Sequence, residues 1–175
     1  MDRKEKYSFK PYSDLLPLLF QKEKERIAAY LQGEISIEHV GSTSIEGLGG
    51  KGIIDIAIST SPEKMDVCSE KIVSLGYEFR PSFSTEERRY FICYLPDPIE
   101  GRRRYHIHLT FSSSAVWKEL IGFRDYLRLH KEIAEEYEQI KRDAAKDAEG
   151  DGALYRKRKE PFLQKVKEYL NKDIT

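Results

Sequence analysis

Three polar residues interrupt two apolar runs in this chain: Asp55 in IIDIAIST, and His106 with His108 in RRYHIHLTF. Period-two alternation puts Asp55, Ala57 and Ser59 on one face of the first run and Ile54, Ile56 and Ile58 on the other. The same rule groups His106, His108 and Thr110 against Tyr105, Ile107, Leu109 and Phe111. If the two runs are strands of one sheet, a carboxylate and two imidazoles meet on its polar face. Close approach then holds Asp55 charged and raises the pKa of the histidines. An Asp-His-His donor set also suits a transition metal such as zinc, manganese or iron. The competing reading is the plain polar face of a half-exposed antiparallel sheet.

Just before Asp55 lies HVGSTSIEGLGGKGIIDI, residues 39–56, with five of the chain's eleven glycines, a hydroxyl cluster and Lys51. Gly47, Gly49 and Gly52 satisfy G-x-G-x-x-G, but that fingerprint requires a helix after it, and here a strand-like run follows. A P-loop fails as well, because Ile45 stands where its first glycine belongs and Gly52 where its hydroxyl belongs. Further along, Arg124 and Arg128, Tyr137 and Lys141, and Tyr155 and Lys159 are each four apart, so each pair shares a helix face. Turned toward the sheet, those faces supply guanidinium forks and ammonium groups suited to phosphate. Asp125 is an alternative partner for Arg124.

The elements that must position these groups are legible in outline. An amphipathic helix is expected from Ser13 to about Gln32, stopped by Gly33, and the strand ISIEHVG leads into the glycine loop. After IIDIAIST come a helix from Pro62 to about Leu75, closed by Gly76, and GYEFR as a short strand or turn. RRYFICYL and RRYHIHLTF form a hairpin across PDPIEG. From Ser113 the pattern is helical, with breaks near His130 and at EGDG, residues 149–152. The order α-β-β-α-β-β-α-α-α implies an α+β fold, a mixed sheet with helices on one side and a C-terminal helical extension.

Composition bounds the partners. The 30 basic and 30 acidic residues cancel, so no global field favours nucleic acid or a membrane surface. Cys68 and Cys93 have no metal-like spacing and form no disulfide framework, which fits a reducing compartment. No apolar run approaches membrane-span length, and MDRKEKYSF lacks a signal-peptide core. The expectation is one cytoplasmic domain over residues 1–175, with a core from about 13 to 111 and helices from about 113 to 172.

HVGSTSIEGLGGKGIIDI, HIHLTF, FRDYLRLH and the two Tyr-x-x-x-Lys pairs occur in the order that resembles the GrpB, or UPF0157, family of uncharacterised cytoplasmic proteins. The resemblance runs from about residue 35 to 163. It implies a nucleotidyltransferase fold, the DNA polymerase beta-like palm, with departures at Glu46 and Gly52, where the family typically has proline.

In that superfamily a Gly-Ser turn presents amides and a hydroxyl to phosphates, while carboxylates on the next strands hold magnesium. By resemblance, Gly41, Ser42 and Thr43 are the turn and Asp55 is the first carboxylate, with Lys51, Arg124, Arg128, Tyr155 and Lys159 as further phosphate contacts. Ala57 stands where the second carboxylate belongs, and His106 and His108 where the third does. The expected function is binding of a nucleotide, coenzyme A-like or other phosphate-bearing small molecule over a degenerate metal site, with magnesium or another divalent metal as the candidate cofactor. The alternative is an active metal-dependent nucleotidyl or phosphoryl transferase, with Asp55, His106 and His108 catalytic. An RNA-binding role for RRRY and RKRK is disfavoured by the neutral charge balance.

Overall fold

The computed structural model describes residues 8–172 of the chain. Helix α1, Leu15–Leu31, forms where Leu16, Phe20, Ile27 and Leu31 recur on one stripe and bury it. It ends where Gln32 and Gly33 turn to positive φ. Glu23 lies in the same buried stripe. Its carboxylate is satisfied by Arg26, at 2.7 and 2.8 Å, and by the Tyr77 hydroxyl, at 2.9 Å. The remaining elements are β1 Ser36–Val40, β2 Ile54–Thr60, α2 Met65–Ser74, β3 Glu78–Phe79, β4 Arg89–Asp97, β5 Gly101–Phe111, α3 Ala115–Leu129, α4 Lys131–Ala148 and α5 Gly152–Lys172.

The five strands form one mixed sheet in the order β1-β2-β5-β4-β3. Only β2 and β5 run parallel, the connection that needs a crossover, which α2 and the β4 hairpin arm provide. Ile54, Ile56 and Ile58 join Tyr105, Ile107, Leu109 and Phe91 on one face, packed under Leu16, Phe20 and Ile27 of α1 and Ile72 of α2. His39 pairs with Ile56 and lies on this apolar face, its ring stacked 4.5 Å from that of Phe20. The hairpin turn is fixed by Asp97, which accepts from the Ile99 and Glu100 amides and from Arg103 Nε at 2.6 Å.

The other sheet face is roofed by the C-terminal helices. Arg124 on α3 reaches Glu38 Oε2 at 2.7 Å, and Glu38 alternates with His39 on β1. A second core joins Leu127, Tyr137, Phe162 and Val166 to Ile45 and Leu48 of the glycine loop. Helices therefore cover both faces, where the sequence pattern had implied one, because α3 to α5 fold back over the polar side instead of extending away. Among the described residues no helix is long and apolar enough to cross a membrane.

Candidate functional site

The parallel register pairs Asp55 with His106 and Ala57 with His108, so strand alternation alone brings the three polar side chains together. His106 Nδ1 donates to Asp55 Oδ1 at 2.8 Å, and His108 Nε2 lies 3.7 Å from the same oxygen. Tyr90, opposite His108 on β4, puts its ring 5.1 Å from both imidazoles. Burial opposes ionisation of Asp55, but the His106 and His108 rings outweigh it and hold the carboxyl well below the usual carboxylate range. His106 departs from the expectation of a raised pKa. Burial of its ring outweighs the attraction of Asp55, so its pKa is lowered and the neutral ring donates to the carboxylate. That tautomer leaves His106 Nε2 as a buried acceptor, and among the described residues neither it nor His108 Nδ1 has a hydrogen-bond partner.

The glycine loop is held from several sides. Gly41 has φ +69°, and a Cβ there would sit 2.6 Å from Asp55 Oδ2, so only glycine lets the turn pass the carboxylate. Ser42–Ser44 form a single 3-10 turn. Thr43 turns inward, donating to the Ile53 carbonyl at 2.8 Å and accepting from His39 Nε2 at 3.1 Å. Its hydroxyl is a tether between the loop and the α1 side of the sheet. On the loop's far limb, α4 clamps both polar groups of Gly49: Glu138 accepts from its amide at 2.9 Å and Lys141 donates to its carbonyl. Gly50 pairs with Lys10 in an isolated bridge. A side chain on Gly50 would meet Ser42 Oγ at 2.9 Å and Lys141 Nζ at 3.2 Å, so Ser42, Gly50 and Lys141 are neighbours.

Both tyrosine-lysine pairs turn inward. Lys141 Nζ lies 4.7 Å from the Tyr137 ring centre, while Lys159 and Lys51 lie 4.8 and 5.1 Å from the Tyr155 ring centre. Burial, together with the charge of Lys159, lowers the Lys141 pKa to about 7. Burial lowers that of Lys159 too, against the attraction of Asp55. Burial likewise pushes the Tyr155 hydroxyl up to about 12.

The two arginines have protein partners. Arg124 is bound to Glu38, Asp125 and the His39 carbonyl, and Arg128 sends Nε and Nη2 to the Ser44 carbonyl at 3.1 and 2.7 Å. Here they position β1 and the loop. Gly41, Ser42, Lys51, Asp55, His106, His108, Tyr155 and Lys159 thus gather on the polar side, while Thr43, Arg124 and Arg128 brace it. Sequence reasoning gave no site role to Tyr90, and it put Lys141 on a helix face suited to phosphate without counting it among the phosphate contacts.

The residues do not fit a resident magnesium ion. Among the described residues Asp55 is the single carboxylate at the centre, and His106 binds it directly while His108 lies 3.7 Å away. Among the described residues, no three His, Cys, Asp or Glu side chains converge as a ligand set.

Comparison with known proteins sets this geometry in a family. A family model described as GrpB protein matches residues 7–169. The UPF0157 protein YqkA of Bacillus subtilis is 33% identical over 136 residues, which are 77% of this chain and 38% of that one. The glutamate-rich protein GrpB of Alkalihalophilus pseudofirmus is 28% identical over 154 residues, 85% of this chain and 86% of that one. The chain thus spans well under half the length of the first relative and most of the second. The crystal structure of conserved protein GrpB from Enterococcus faecalis superposes with a TM-score of 0.81 at 29% identity, covering 95% of this chain and 99% of that one.

Proposed function

We propose that this chain, which belongs to the GrpB family, binds a phosphate-bearing small molecule of nucleotide or coenzyme A-like class against the polar face of its sheet. The palm that carries the site is, on this reading, a nucleotidyltransferase-like fold with an incomplete metal-carboxylate set. The observation that carries the reading is the gathering of Lys51, Lys141 and Lys159 on two inward tyrosines beside Ser42, Gly50 and Asp55. Burying like charges together is unfavourable, as the lowered pKa of Lys141 records. A bound phosphate reverses both causes, restoring a counter-charge and hydrogen-bond acceptors.

A signature follows from the protonation states. Lys141 is partly neutral near pH 7, so anion binding takes up protons there, and affinity falls as pH rises above about 7. Calorimetric titration with pyrophosphate and ADP in buffers of differing ionisation enthalpy reads that uptake directly. Lys159→Gln and Lys141→Gln should each weaken binding about tenfold or more, as expected for a charge-assisted contact. If neither anion binds the natural chain at millimolar concentration, the reading fails.

The second reading is an active nucleotidyl or phosphoryl transferase, favoured by one observation. Asp55 orients the His106 ring so that its unpartnered Nε2 is a ready proton acceptor. In such an enzyme His106 would take a proton from the attacking hydroxyl while the lysines offset charge developing on phosphoryl oxygens. Ala57, opposite His108, supplies no oxygen, so ordinary magnesium-dependent transfer is expected to be weak or absent. Product formation by the natural chain that is abolished in Asp55→Asn would establish the transferase over the binding module. Gain of magnesium binding only in Ala57→Asp would confirm the missing ligand.

A further inference from the structure

A cavity of about 530 Å³ opens between α3 and α5 and runs in to Gly41 and to Arg88, beside β4. Its volume lies within the ordinary range for small-molecule pockets. Val116 and Leu120 of α3 face Leu163 and Leu170 of α5 across it, and its charged residues include Lys118, Glu119 and Lys167. Lys167 Nζ meets Glu119 Oε1 at 2.6 Å, tying the two helices together. Near one end the helices close up, where Gly122 lies against Leu170. The cavity's lining includes the turn at Gly41 that abuts the Asp55 carboxylate. Gly41 is therefore where the slot meets the polar face, since Asp55 behind it attracts Lys159.

We infer that the ligand's phosphate sits at the lysine cluster and that an aliphatic chain attached to it lies in the slot between α3 and α5; the inference rests on the anion-binding reading above. The walls decide the chemistry of the body. Helical backbone spends its amides and carbonyls within the helix, so two facing helices offer no free main-chain edge to recognise a purine or pyrimidine. Val116, Leu120, Leu163 and Leu170 make an aliphatic strip among polar lining residues, and Phe123 is the aromatic ring beside it, which favours a flexible alkyl chain over a stacked base. Burial of such a chain is favourable in proportion to its apolar area, and the lysines supply the counter-charge for its head.

Inorganic phosphate, butyl phosphate and octyl phosphate, each below micelle formation, are titrated by calorimetry, with fluorescence of Trp117, the chain's single tryptophan, as a second readout. Full burial strengthens binding about fourfold per methylene. A partly open slot should give about two- to fourfold, so octyl phosphate, longer by four methylenes, should bind about 16- to 250-fold tighter than butyl phosphate. Ala115→Phe and Val116→Phe narrow the slot and keep the single tryptophan. They should abolish the chain-length gain while leaving inorganic phosphate affinity and thermal stability unchanged.

Equal affinity for butyl and octyl phosphate, with inorganic phosphate still bound, overturns this inference and leaves the anion reading intact. A chain-length gain that survives in both phenylalanine variants places the chain elsewhere and overturns it too. Octanol binding as tightly as octyl phosphate, or indifference of octyl phosphate to Lys159→Gln, shows that the lysines do not hold the head. Either result overturns the inference, and the anion reading falls with it only if inorganic phosphate also fails to bind.

Discussion

His39 shows how a single buried ring ties the two sides of the sheet together. It stacks on Phe20 and donates to Thr43, and burial lowers its pKa to about 4 from the ordinary 6.5. The folded chain thus binds fewer protons here than the unfolded chain between about pH 6.5 and pH 4. Stability contributed by the neutral ring is complete above about pH 6.5, falls through that window and is lost below about 4, by roughly 3 kcal/mol. Denaturant unfolding at a series of pH values should show this loss in the natural chain and a shallower slope in His39→Phe. Equal slopes would mean the ring is not neutral in the fold. At the centre of the site, burial should keep His106 titrating below the ordinary histidine value, and Asp55→Asn should lower it further by removing the carboxylate's attraction. NMR titration of the His106 ring in both proteins decides this, and an unchanged or raised midpoint in the variant contradicts it. Asp55, His106 and His108 were readable as one face because strand alternation is a local rule. The direction of the His106 shift was not, because burial depends on the helices that roof it.

Each element carries a local device whose removal has a calculable direction. Ser114 caps α3, accepting from the Trp117 amide at 3.0 Å and sharing a hydrogen bond with Thr110 at 2.7 Å. Ser114→Ala should cost about 1–2 kcal/mol of unfolding free energy, measured by urea titration. A cost near zero would show that water replaces the cap. The β4–β5 turn is a stronger case, since Asp97 and Arg103 are both buried and bonded. Asp97→Ala removes one charged partner of the guanidinium, leaving Gly52 and Glu100, and should cost about 2–3 kcal/mol. Thermal and denaturant unfolding both read it, and a loss under 1 kcal/mol would contradict the pairing. The sequence marked this turn by its prolines and Gly101, and the helix breaks at His130 and at 149–152 were likewise marked. Asp151 there accepts from the Ala153 and Leu154 amides, starting α5. By contrast β3 is only Glu78–Phe79, both exposed, at the edge of the sheet.

At the scale of the whole molecule, one buried cluster packs on the sheet's apolar face, and the glycine loop belongs to another, built with the C-terminal helices. Phe162 stacks on Tyr137 at 4.7 Å in the cluster that also holds Ile45 and Leu48. Phe162→Ala should therefore cost about 3–5 kcal/mol and speed hydrogen exchange at Gly49 and Gly50, far away in sequence. Loss of stability with unchanged exchange in the loop would show that the loop is held by the sheet alone. Sequence by itself determined the strands and their polar and apolar faces, the helix ends, and the family. These follow from periodicity, turn chemistry and ordered motifs, all of which act within a few residues of each other. Tertiary structure alone decided that α3 to α5 return over the polar face, making Arg124 and Arg128 braces and bringing Lys141 to Gly49 across 92 positions of sequence. A side chain's type and spacing fix which groups it can bind. Which one it does bind depends on what long-range packing brings within reach, since a guanidinium satisfied by a neighbouring carbonyl or carboxylate has little left for a ligand.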